Sequence, residues 1–529
     1  MSDLLDGLAP GFGIALSPLN LLLCLIGAVV GTATGVLPRV GVFTAVAVLV
    51  PVAFGLPPEG AVIMVAAVYF GAQYGGSTAA ILLDIPGEAS AAATTLDGHQ
   101  LARQGRAGAA LATARMASLV AGLAATIAVV ALAPLAVRVS ALLRWFGPAE
   151  FFSFMILAAC LLVALTRGPA LKALATVMLG MLVGLVGSDI ETGQSRMAFD
   201  IPELGDGISF VVAAIGVFGF AEVLCNLAHP AAHDTLDAGL SAIKAAGPLP
   251  AVPGSHDRRA AAGAITRGTV LGAILGMLPG GGPVVASFAA HGLERKLSAR
   301  VGSGAIAGVA APESANTAAA QTSSALVPLL VFGMSPNAVV ALLVVVMTTH
   351  GIVPGPAIVS KQPGLFWGLV VAMAVANLML AVVSLPMTAV WVKLLKVPYR
   401  LVFPAIVILS TIGIYSLNNS PFDCIVLVVG GLLGYWLTRH GFEPYPLLFG
   451  LMLGAPLEES LRRAILIARG DPSAFVTRPI SAILLGIAVV LLAFALWPAA
   501  ARKRDQVLPE GGDLSPTLAP HRAVAPPAA

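Results

Sequence analysis

Five small polar residues and one carboxylate carry most of the chemistry available to this chain. Ser77 and Thr78 in one stretch, and Ser314, Asn316 and Thr317 in another, offer neutral oxygens and hydrogen-bond donors. That set suits a sodium ion, which takes several oxygen ligands, or a carboxylate in need of donors. Glu313 follows Pro312 in an almost uncharged stretch. A charged group at bilayer depth costs at least ~2.5 kcal/mol on insertion scales, so it must be paired, protonated, ion-bound or in water. Taken singly, each hydroxyl could bond back to its own helix. Were 308–317 at a membrane surface, Glu313 would be only a cap.

Helix breakers surround these residues. Gly31-Thr-Ala-Thr-Gly35-Val-Leu37-Pro38-Arg39-Val-Gly41 returns 241 residues later as Gly272-Ala-Ile-Leu-Gly276-Met-Leu278-Pro279-Gly280-Gly281-Gly282, with the same G-x3-G-x-L-P-x2-G spacing. A proline with glycines at bilayer depth frees backbone groups that lipid cannot satisfy, so such breaks survive only where protein or a water-filled cavity surrounds them. The half-helix ends also carry partial charge for ions. Two halves with matched breaks are a transporter signature. A second polar, glycine-rich interruption, Tyr74-Gly75-Gly76-Ser77-Thr78, runs on to Asp84-Ile-Pro86-Gly87. Asp84 and Arg39 could pair within the membrane; equally, Arg39 could snorkel to an interface. Any single glycine of these stretches could serve close packing instead.

Positioning these residues requires a membrane fold. With 58% hydrophobic residues and 10% charged, the 529-residue chain has too little polar surface for a water-soluble globule of its size. The reading is an all-α polytopic membrane protein with about 11 to 14 membrane segments. The net charge of +3 lies in short loops, as topology determinants do, and implies the lipid bilayer and no nucleic acid as partner. Cys24, Cys160, Cys225 and Cys424 sit in or beside apolar runs and read as inert thiols. No nucleophile with base and orienting group appears, and no metal-ligand spacing, so neither an enzyme nor a cofactor is expected.

Along the chain, 1–15 is a periplasmic start and 16–225 the first membrane repeat. The stretch 94–106 is a polar cytoplasmic loop, and the acidic stretch 188–207 faces outside. A cytoplasmic linker at 226–262 joins the second repeat with its C-terminal helices at 263–498, and 499–529 is a disordered proline-rich tail. The helix leading to Pro38 starts beside aspartates, whereas the one leading to Pro279 starts beside Arg258, Arg259 and Arg267. Opposite flanking charge predicts inverted-topology repeats with broken or re-entrant helices.

Five separated stretches resemble one family. They are YFGAQYGGSTAAILLDIPGEASAAATTLDG at 69–98, RGTVLGAILGMLPGGGP at 267–283, GVAAPESANTAAAQTSSALVPLL at 308–330, VPYRLVFPAIVILSTIGIYSLNNSPFD at 397–423 and LEESLRRAILIARGDPSAFVTRPISA at 457–482. The chain resembles the large permease subunit of the tripartite tricarboxylate transporters, the TctA type, over roughly 16–498. The resemblance implies a multi-pass permease of the bacterial inner membrane. Its partners would be a small membrane subunit (TctB type) and a periplasmic substrate-binding protein (TctC type) that delivers citrate or another organic anion, often with sodium as the coupling ion and with homo-oligomers in view. Two departures bear on the site: the family usually carries glycine where this chain has Arg39, and more often asparagine where it has Asp84. A stand-alone proton-coupled organic-anion carrier and a non-transporting membrane sensor subunit are the rival readings.

Overall fold

The computed structural model describes residues 2–37, 41–84, 86–142, 146–166, 169–189, 192–228, 253–278, 282–298, 300–324, 337–352, 358–394 and 399–497. Its helices run in order α1 (Ser2–Ala15), α2 (Pro18–Val36), α3 (Gly41–Phe54), α4 (Pro58–Leu83), α5 (Ala92–Leu101), α6 (Ala107–Leu142), α7 (Pro148–Leu165) and α8 (Ala170–Gly184). A two-stranded hairpin (Gly187–Ser188 with Ser195–Arg196) follows. Then α9 (Phe210–Ala214) passes through a π-helical turn (Ile215–Phe220) into α10 (Ala221–Ala228). The chain continues as α11 (Ser255–Gly276), α12 (Gly282–Leu297), α13 (Ile306–Ser324), α14 (Ala338–Thr349), α15 (Pro363–Leu394), α16 (Tyr399–Asn418), α17 (Pro421–Arg439), α18 (Tyr445–Ile467) and α19 (Pro479–Leu496).

Six described helical stretches are long and apolar enough to cross a membrane, and four shorter ones are apolar. The outside of the fold is greasy: Ile483, Val489, Val490 and Phe494 on α19, and Ile425, Val429 and Leu432 on α17, are exposed. Its inside is polar in places, with Glu313, Asn316 and Gln321 all buried. That inversion of the water-soluble pattern is expected of a chain whose solvent is lipid. The protein is an all-α polytopic membrane protein.

Two glycine-striped helix pairs hold its centre. Along α2, a Cβ added at Gly27, Gly31 or Gly35 would overlap the carbonyl oxygen of Met64, Val68 or Ala72 on α4. Along α11, Gly268, Gly272 and Gly276 stand in the same relation to Ala311, Ala315 and Ala319 on α13. Small residues let the backbones meet, which is how helices associate where no hydrophobic driving force operates. The three glycines of α11 lie 241 residues after those of α2, and their carbonyl partners 247 residues after. The two helix pairs are therefore structural equivalents. Helices α3 and α12 follow the same rule, starting at Gly41 and Gly282 directly after each Leu-Pro break. Elsewhere, α7 packs on α19 and α8 on α18 around a separate apolar cluster that includes Leu162, Val177, Phe449 and Leu453.

Two stretches differ from their sequence reading. Tyr74-Gly75-Gly76-Ser77-Thr78 is no interruption: α4 runs through it and stops at Asp84, which takes a left-handed backbone (φ 59°). Glycine weakens a helix, but here a Cβ at Gly75 would overlap Thr32 O and one at Gly76 would crowd Glu88, so tight packing replaces what propensity lacks. The expected polar loop at 94–106 is helix α5 followed by a π turn, Ala102–Arg106. Two of its polar residues, Thr94 and Asp97, are fully buried and reach partners in the second half, while Arg103, Gln104 and Arg106 stay exposed. The first described helix after residue 228 begins at Ser255, and the proline-rich tail lies outside the described residues.

Candidate functional site

The equivalent helices α4 and α13 meet in opposite directions. Near one end of the contact, Asn337 Nδ2 donates to Tyr69 Oη at 3.4 Å and Ser323 Oγ at 3.2 Å. Near the other, Ser77 Oγ donates to Glu313 Oε2 at 2.5 Å. As α4 advances from 69 to 77, its partner positions on α13 fall from 323 to 313. The facing surfaces are polar by helical spacing. Glu313, Asn316, Thr317 and Gln321 share one side of α13, and Ala311, Ala315 and Ala319 on the other side pack against α11. On α4 the corresponding face carries Tyr69, Gln73, Tyr74 and Ser77, all buried.

Glu313 is 1% exposed and is the centre of this surface. Its carboxylate accepts from Ser77 Oγ, from Thr94 Oγ1 at 3.2 Å and from Ser118 Oγ at 2.9 Å. These hydroxyls come from α4, α5 and α6, all in the first half, whereas Glu313 belongs to the second. Beside it is a cavity of about 10 Å³ lined by Tyr74, Ser77, Thr78, Arg115, Ser118 and Glu313. Tyr74 Oη is buried there without a hydrogen-bond partner. Farther along α13 the same holds for both amide atoms of Asn316, for Thr317 Oγ1 and for Gln321 Nε2, although Gln321 Oε1 accepts from Thr126 at 3.2 Å. Buried polar groups are nearly always satisfied, so a cluster of orphans on one surface marks a place built for something else.

Among the sequence-predicted residues, Tyr74, Ser77, Thr78 and Glu313 are brought together. Asn316 and Thr317 share their surface. Ser314 is not part of it: its Oγ bonds back to Ala311 O at 3.0 Å, and it packs on Gly268. Pro312 is buried inside α13 without ending it. Gly87 packs against Gly35 O, its N–H reaching Gly76 O at 3.4 Å, and Pro86 lies in the same turn. Asp84 is exposed at the end of α4, with His99 and Arg103 as its described charged neighbours. Pro38, Arg39, Pro279, Gly280 and Gly281 lie outside the described residues, whereas Gly41 and Gly282 are the first residues of α3 and α12.

Sequence reasoning missed Thr94, Arg115 and Ser118. The available signal for the last two was an arginine and a serine one turn apart in an apolar helix. It also missed two carboxylates. Glu88 Oε2 accepts from Val42 N at 3.4 Å, in the first turn of α3 just past the Pro38 break. Asp97, on α5, accepts from the backbone N–H groups of Gly302, Gly304 and Ala305 at 2.7–2.9 Å and contacts His291 Nε2 at 2.9 Å. It thereby holds the start of α13, the helix that carries Glu313.

Residues 21–449 match the tripartite tricarboxylate transporter TctA family. The chain belongs to that family. It is also 46% identical over 513 residues, 96% of this chain and all of the other, to an uncharacterized 52.8 kDa protein in the TAR-I ttuC' 3' region of Agrobacterium vitis. A protein in the TAR-II ttuC' 3' region of the same organism is 53% identical over 242 residues, 45% of this chain and 99% of the other. No solved structure matches. Membership in the TctA family makes the chain a transporter component of a tripartite system.

Proposed function

We propose that the chain is the permease subunit of a binding-protein-dependent secondary transporter that imports a tricarboxylate or other organic-acid anion across the inner membrane, driven by a sodium gradient. The observation that carries this reading is the set of buried, unpartnered polar atoms at Tyr74 on α4 and at Asn316, Thr317 and Gln321 on α13. Neutral donors of this kind suit carboxylate oxygens, and Arg115, on the wall of the adjoining cavity, adds the charge that an anion requires.

Two inverted-topology repeats would explain the crossing. Helices α4 and α13 are equivalent by their glycine contacts and antagonistic in direction, the relation expected of an axis lying in the membrane plane. Substrate then binds between the halves, and access alternates as one half moves against the other. The proposed partners are the small membrane subunit and the periplasmic binding protein of the tripartite arrangement.

The test is uptake into proteoliposomes of an anion found to bind the cognate periplasmic protein. Transport should need the small subunit and the liganded binding protein, and it should follow a sodium gradient at fixed pH. Full saturable uptake by the single purified chain would overturn the tripartite requirement. Uptake driven by a proton gradient in sodium-free medium would overturn the sodium coupling.

A further inference from the structure

We infer that the Glu313 cluster is a monovalent-cation site shared by the two halves, its ligands being the Glu313 carboxylate and the oxygens of Ser77, Thr94, Ser118 and Tyr74. The set differs from the one read in the sequence: it adds Thr94 and Ser118 and leaves out Ser314, which is committed to its own helix.

A carboxylate 1% exposed inside a membrane protein is stabilised by hydroxyl donors but not neutralised by them. With the Arg115 guanidinium on the same wall, a bound monovalent cation leaves one positive charge until an anion joins it and a divalent ion leaves two, so the single charge is favoured. The donors point the same way. Each hydroxyl now donates to the carboxylate, and each keeps lone pairs that a rotation about its C–O bond can offer to an ion. Tyr74 Oη is an independent sign: it lines the same cavity, is buried and has no partner. The cavity, about 10 Å³, has room for one water-sized occupant such as a bare monovalent ion.

The site's position gives it consequences. Four ligands lie on α4, α5 and α6, and the carboxylate lies on α13, so a bound cation would tie the halves together across the surface proposed for substrate. Arg115 faces the same cavity. Like charges repel, so an organic carboxylate seated on Arg115 would favour cation binding, and each ligand would raise the affinity for the other. This last step rests on the transport reading, but the cation site itself does not.

The experiment is thermal unfolding of the purified full chain in detergent, at fixed pH and ionic strength, with choline chloride exchanged for sodium chloride. Sodium should raise the midpoint saturably. Ser118→Ala and Thr94→Val should each raise the half-saturating sodium concentration roughly tenfold, the scale of one lost contact to a charge. Glu313→Gln should abolish the response, and Ser314→Ala should leave it unchanged. Should Glu313→Gln fail to fold, the two hydroxyl variants decide. An unchanged half-saturation in Ser118→Ala and Thr94→Val would overturn the proposal. So would stabilisation by acid in choline with no response to sodium, which would make the occupant a proton. A sodium shift that needs these residues, in a chain that carries no organic anion into vesicles even with the small subunit and the liganded binding protein present, would uphold this site and remove the transport reading instead.

Discussion

Replacing Gly272 by alanine tests whether the glycine stripe of α11 is set by contact. The new Cβ would overlap Ala315 O and would lie 2.6 Å from Ala315 Cα and 2.8 Å from its carbonyl carbon. All three are backbone atoms of α13, so no side chain can turn aside and the helices must separate. Overpacking of this kind costs about 1–3 kcal/mol, while alanine in place of glycine returns roughly 1 kcal/mol of helix propensity. Gly292, on α12, is the control, because nothing lies within 4 Å of its added Cβ. Gly292→Ala should gain the propensity alone. Propensity cancels between the two variants, so Gly272→Ala should be the less stable by about 1–3 kcal/mol, and its first-half counterpart Gly31→Ala should behave like it. The assay is reversible unfolding in mixed micelles, read by helical circular dichroism. Should Gly272→Ala match or exceed Gly292→Ala in stability, close backbone approach is not what holds α11 to α13.

Three further outcomes are expected. Asn316→Leu keeps the size of the side chain and removes two buried unpartnered atoms, so it should stabilise the protein by about 1–3 kcal/mol while abolishing reconstituted uptake; loss of stability with uptake intact would contradict the assignment. Asp97→Asn places an amide among the N–H groups of Gly302, Gly304 and Ala305 and should cost about 1.5–3 kcal/mol, measured in the same micelles, with Gly308 leaving no room for a shifted rotamer. Arg196 joins Asp189 and Glu458 beside the hairpin, with its side chain 27% exposed. A double-mutant cycle of Arg196→Ala with Glu458→Ala should therefore return a coupling of only ~0.2–1 kcal/mol that shrinks with salt.

Much of this architecture was legible because its causes are local. Of the two roles left open for Gly31, Gly35, Gly272 and Gly276, close packing is the one on view, each facing a backbone carbonyl of the paired helix. Glu313 was legible because a carboxylate in an apolar stretch needs a reason. Legibility ended where partners come from distant segments. Thr94 looks like a loop threonine until α5 folds under α13, and Asp97 looks like one more charge in a polar stretch until the backbone at 302–305 surrounds it. Ser314 misled for the opposite reason: its neighbours in sequence face the polar surface, but a turn of about 100° from Glu313 points it toward α11.

The two halves differ by a short insertion. Equivalent positions are 241 residues apart up to Gly282 and 247 apart from Ala311 onward, so six additional residues accumulate across α12 and the turn that follows it. That turn supplies the amides around Asp97, whereas the corresponding connection from α3 to α4 is the short Gly55–Pro57. The duplicated plan is thus lopsided: one end of the contact between halves is fastened by a carboxylate set in backbone amides, and among the described residues the matching end shows no such receiver. Under the alternating access proposed above, opening the two ends would not cost the same energy, so the insertion would bias the resting balance between inward-facing and outward-facing forms before any solute or partner arrives.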